Sequence, residues 1–213
     1  MGKLKKGIFG GFSGKTGNVV GSSWKDVDVI RSMPGKRKNP PTDPQEKQQN
    51  RFGLLASVMQ GINPLLSFAF QSYEPNKSPY NSAIAYNLLN AVTGTTTDQQ
   101  VYYPTLLVSR GHLPATTAGQ AVPMAAGEIA FSWTDNTGLG IAKSSDHAIM
   151  IFYEPVTNTC VFDRITARRG DGNGILQATH FRGKTVHTWI AFYTEAPKEL
   201  SSNSIYTGAV TVL

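Results

Sequence analysis

The chain has 213 residues, 40% of them hydrophobic and 10% aromatic, which predicts a packed core and excludes a disordered chain. Its one cysteine, Cys160, excludes an intrachain disulfide framework and a cysteine-built zinc site. The net charge of +6 sits entirely at the front: up to Arg51 there are eleven Lys/Arg against four Asp/Glu, and beyond it nine against ten.

Residues 1–41 read as a basic, glycine-rich extended arm. Met1-Gly2-Lys3-Leu4-Lys5-Lys6 looks like the basic start of a leader, but Gly7 to Phe12 is too short and glycine-rich for its apolar part. No cleavable signal peptide is expected, and no apolar run long enough to span a bilayer. Residues 17–24 and 27–31 read as two short strands around Lys25-Asp26. A two-stranded ribbon is marginal in water, so it is expected to need a third partner, from the same chain or from another copy. Glycines 10, 11, 14, 17 and 21 would let the arm pass close to another backbone.

Residues 42–98 read as a helical segment. Thr42 and Gln45 fit a capping box, and Phe52, Leu55, Val58, Met59 and Ile62 share one helical face. Pro64 is expected to break this helix. Ser78-Pro79 starts a second one, with Ile84, Leu88 and Val92 on one face and Gly94 as terminator.

From residue 99 to 213 the period changes to two. Strands are predicted at Thr105–Ser109, Glu128–Trp133, His147–Tyr153, Cys160–Thr166, Ile175–Thr179, Val186–Tyr193 and Ile205–Val212, separated by Asn/Asp/Gly/Ser turns. Seven short strands without intervening helices predict an antiparallel sandwich with Trp133 and Trp189 in its core. The fold class is therefore α+β, mainly β. Ile129–Trp133, Ile149–Tyr153 and Trp189–Tyr193 ahead of a Ser/Asn turn and a last strand resemble a fibronectin type III or immunoglobulin-like module.

No chemistry is legible in the motifs. Gly14-Lys15-Thr16 lacks the glycine a phosphate loop needs at position 9, where Phe9 stands. His112, His147, His180 and His187 have no metal-ligand spacing, and Asp146-His147 would point to opposite sheet faces. Arg169-Gly170-Asp171 reads as a charged hairpin tip. No catalytic, cofactor or metal residues are assigned, no small-molecule substrate is expected, and the chain reads as a non-enzyme.

A longer set of motifs runs nearly end to end: residues 10–21, Trp24-Lys25, Arg31-Ser32-Met33-Pro34, Ala85 to Leu88, Asn90 to Gly94, Ser109 to Pro114, Phe131-Ser132-Trp133 and Val186 to Phe192. In these the chain resembles a Bacteroidota family, domain of unknown function 6266. The resemblance implies a bacterial source and brings no activity with it.

The function expected is structural: head-to-tail assembly of copies into a helical, extracellular filament. The arm would dock on a neighbour through Ile8, Phe9, Phe12, Val19, Val20, Trp24, Val27, Val29 and Ile30. The alternatives are a cytoplasmic or virion-associated, phage-like component, or a glycan- or protein-binding module using Tyr102, Tyr103 and Tyr206. Nucleic acid on the arm's lysines is a further alternative, disfavoured because an apolar stretch splits the basic clusters.

Overall fold

The computed structural model describes residues 3–4, 10–24, 27–35, 39–71, 77–95, 98–125, 127–194 and 199–213. The chain forms two compact units, Met1–Thr42 and Asp43–Leu213. The first holds nine Lys/Arg against two Asp/Glu, the second eleven against twelve, so the charge imbalance coincides with the structural division.

In the first unit β1 (Lys3–Leu4), β2 (Phe12–Thr16), β3 (Val19–Trp24) and β4 (Val27–Ser32) form an antiparallel sheet in that order. The arm is thus a small sheet, and the partner that the predicted ribbon needed is supplied by β2. Gly17-Asn18 does not begin a strand. It is a two-residue loop that sets Thr16 opposite Val19, and Gly17 takes φ +60°, which costs a glycine little.

The second unit contains α1 (Asp43–Ala69), α2 (Pro79–Asn90), β5 (Val92–Thr93), β6 (Gln100–Val101), β7 (Gly119–Met124), β8 (Glu128–Trp133), β9 (His147–Glu154), β10 (Thr159–Asp163), β11 (Asn173–Gln177), β12 (Thr185–Thr194), β13 (Leu200–Ser201) and β14 (Ile205–Thr211). Two sheets face each other: β11-β8-β7, and β10-β9-β12 with β14 and β13 both on the far side of β12. Every ladder in them is antiparallel. This is an antiparallel β-sandwich, as the strand pattern predicted.

The helices add a third layer. Ile149, Ile151 and Tyr153 of β9, with Trp189, Ala191 and Tyr193 of β12, pack under Leu55, Met59, Ile62, Leu65 and Leu66 of α1 and Ile84 of α2. The alternate residues Ala148, Met150, Phe152, Ile190 and Phe192 pack against Ile129, Phe131 and Trp133 of β8. Both faces of β9 and β12 are therefore buried, which is why their sequences are almost unbroken apolar runs.

Several further expectations are corrected. Pro64 lies inside α1. The carbonyl it leaves without a donor belongs to Gln60, four residues back, and both residues are on the exposed side of the helix. The opposite side is held by buried Leu65, Leu66 and Ala69. Phe52, by contrast, is exposed and leaves the core stripe. Gly94 does not end α2, whose C-cap is Ala91. It turns the chain between β5 and β6 at φ +98°, where a Cβ would lie 2.1 Å from the Asp98 carbonyl oxygen.

Residues 105–109 form no ladder. Leu106 and Val108 are buried, but side chains serve this backbone. Asn87 accepts from Leu107 N and donates to its carbonyl, both at 2.9 Å, Ser204 Oγ accepts from Val108 N, and Trp189 Nε1 donates to Leu106 O. The place of that predicted strand is taken by β7, with Pro123 inside it, and the two-residue β13 brings the two sheets to eight strands. Ser78 caps α2 as predicted, accepting from Asn81 N at 3.2 Å.

By length and composition α1 is long and apolar enough to cross a membrane, contrary to the sequence-based expectation. Its buried stripe, from Leu55 to Ala69, belongs to the core just described.

Candidate assembly surface

The registers of the first unit decide which side chains share a face. Trp24 stands opposite Val27, Ser22 opposite Val29, and Val20 opposite Arg31 and Lys15, so Val20, Trp24, Val27 and Val29 lie on one face. Val19, Gly21 and Ile30 lie on the other, with Phe12. Trp24 is 56% exposed, Val27 57% and Ile30 67%, and Val19 and Val29 are exposed too. Among the described residues of this unit only Gly21 is buried. Among its described residues the sheet thus presents apolar side chains on both faces and buries none of them.

Phe12 and Gly21 hold β2 to β3. A Cβ on Gly21 would meet the Phe12 carbonyl oxygen at 2.1 Å and the Phe12 ring at 2.7 Å. At Gly11 a Cβ would lie 2.0 Å from the Asp28 carboxylate. The close approaches foreseen for these glycines are therefore made within their own sheet. Of the residues proposed for the interface, Phe12, Val19, Val20, Trp24, Val27, Val29 and Ile30 come together on this sheet; Ile8 and Phe9 lie outside the described residues.

Two chemically suggestive groups of the second unit, Arg169 and His187, are engaged in its framework. Arg169 is fully buried and is no hairpin tip. Its Nε donates to Asp146 Oδ2 at 3.1 Å, a second nitrogen donates to Asn136 and a third to Pro114 O at 2.9 Å, while the guanidinium lies 3.9 Å from the Phe192 ring centroid. Burial lowers its pKa, and Asp146 opposes that shift. The Arg-Gly-Asp tripeptide is therefore not presented to a receptor as a unit.

His187 stacks on Tyr103, with ring centroids 3.7 Å apart, and its Nδ1 is 2.8 Å from Tyr206 Oη. Burial pushes its pKa down. Gly14-Lys15-Thr16 falls inside β2, so no phosphate loop is formed. Among the described residues, no three His, Cys, Asp or Glu side chains cluster as metal ligands.

No curated protein matches the chain. One similar solved structure is the fn3 domain of human collagen alpha-1(XX) chain, at 10% identity and a TM-score of 0.34, over 47% of this chain and 87% of that one. A family model matches residues 11–208, from the N-terminal sheet to the last strand, and the chain accordingly belongs to the family described as "Family of unknown function (DUF6266)".

Proposed function

We propose that this protein is a non-enzymatic structural subunit that assembles head-to-tail with other copies of itself into a helical, extracellular filament, its N-terminal sheet docking on the neighbouring copy. One observation carries the reading: the first unit exposes Trp24, Val27, Val29 and Ile30 although it buries no apolar side chain among its described residues. A sheet gains stability by burying an apolar face, and this one requires a cover to do so. A donor surface on one unit and its acceptor on another make a heterologous contact, and repetition of that contact generates an open helix or a ring.

The reading is tested on a Trp24→Ser/Ile30→Ser double variant, which removes one large apolar group from each sheet face. Sedimentation velocity should show the parent chain growing in size with concentration while the variant stays monomeric. A variant that associates as the parent does would refute the assignment of this surface.

A further inference from the structure

Backbone pairing shows which strand edges remain open among the described residues. Met33 N donates to Asn18 O at 2.8 Å, so the odd residues of β4 bond to β3, and the N–H and C=O groups of Asp28, Ile30 and Ser32 point away from the sheet. On β11, Gly172 O accepts from Trp133 N and Ala178 N donates to Gly127 O, so its even residues bond to β8. The backbone groups of Asn173, Ile175 and Gln177 then point outward. All three residues are exposed, Ile175 at 48%. Each edge offers three outward residues, and neither contains a proline or a lysine.

Among the described residues, four other edges are obstructed. Thr134 N donates to Ala118 O, which turns Gly119, Ala121 and Pro123 outward on β7 and leaves one of its three outward residues without an N–H. β14 is kinked where its register with β12 shifts and at Gly208, which has φ +116°. β10 is half-buried along its whole length, and β1 has only two residues.

Resting on the filament reading, we infer that β4 of one copy adds antiparallel to β11 of the next, with Asp28 opposite Gln177, Ile30 opposite Ile175 and Ser32 opposite Asn173. Each opposed pair exchanges two backbone hydrogen bonds, and the four-stranded and three-stranded sheets become one seven-stranded sheet. Ile30 and Ile175 then form a cross-strand apolar pair at its centre, and no like charges are opposed. Among the described strands β4 and β11 are one open edge of each kind, so every added copy exposes the same pair again, and growth continues without a second type of contact.

Two experiments test this. The first mixes an Ile30→Cys chain with a size-tagged Ile175→Cys chain and oxidises them. Directly opposed residues of a bonded pair stand about 5.5 Å apart at Cα, within disulfide reach. Cys160 is left in place, because burial pushes its thiol up to about 12. A cross-link between the two different chains supports the pairing; Ile30→Cys homodimers alone, or no cross-link, overturn it.

The second is Ile175→Pro, which removes an outward N–H and spares the β11–β8 ladder. It should abolish assembly at an unchanged melting temperature, whereas polymers from this variant would overturn the β11 acceptor and leave the filament reading standing. A parent chain that stays monomeric at every concentration would overturn both.

Discussion

Replacing Arg169 by methionine should be among the most damaging single changes in the second unit. The side chain is fully buried and Asp146 is 2% exposed, so its removal leaves a carboxylate without its partner in a dry site. Breaking a buried pair from one side costs about 3–5 kcal/mol. The Pro114 carbonyl and Asn136 Oδ1 also lose a donor, each worth roughly 1–3 kcal/mol when stranded, although rearrangement of the loop would recover part of that. The central expectation is about 4 kcal/mol. For a unit of this size it corresponds to a fall of roughly 8–16 °C in melting temperature.

The double variant Asp146→Leu/Arg169→Met should recover much of the loss, because no charge is then stranded. Thermal melts of the two variants and the parent, followed by circular dichroism, measure both effects. A loss below about 1 kcal/mol for Arg169→Met, or a double variant no better than the single, would refute the argument that the pair is desolvated and mutually dependent.

Gly21→Ala should separate β2 from β3, since the added Cβ would lie 2.1 Å from the Phe12 carbonyl oxygen; faster amide exchange across Val19–Trp24, with an unchanged melt of the second unit, would show it. Burial would raise the Glu154 carboxyl, but bonds from Thr157 and Val156, with Lys184 3.5 Å away, hold it down to about 2. With the folded value below the unfolded one of about 4.3, its contribution is complete above that pH and lost as pH falls toward 2, so the parent should lose more stability there than Glu154→Gln. Assembly through apolar contacts and backbone pairing should change little between 50 and 500 mM salt, tested by sedimentation; steep dissociation on adding salt would favour an electrostatic contact to the +7 unit instead.

The sandwich was legible wherever a strand has a conventional composition. Glu128–Trp133 is β8 to the residue, and the apolar runs of β9 and β12 announce themselves because both faces are covered. Gly119–Met124 was hidden by its glycine, alanine and proline, all poor strand formers that an edge position tolerates. Residues 105–109 imitated a strand because their apolar side chains are buried. Asn87, Trp189 and Ser204, distant in sequence, satisfy the backbone, and no local pattern encodes that.

Pro64 misled in the same way: packing on the far side of α1 outweighs the lost bond. At the candidate surface the apolar residues of β3 and β4 were readable from their alternation. The strand that pairs with them was not, because Phe12–Thr16 contains a glycine, a lysine and two small hydroxyl residues. Arg169 was read as a solvated turn residue, since burial of a guanidinium depends on Asp146, Asn136 and Pro114 converging from elsewhere in the chain.

Electron microscopy of the purified full chain over a range of concentrations, beside a chain lacking residues 1–42, probes the central proposal most directly. Filaments of uniform width from the full chain, and isolated particles from the shortened one, are the predicted outcome. Filaments from the shortened chain, or their absence from the full chain at every concentration, would contradict it.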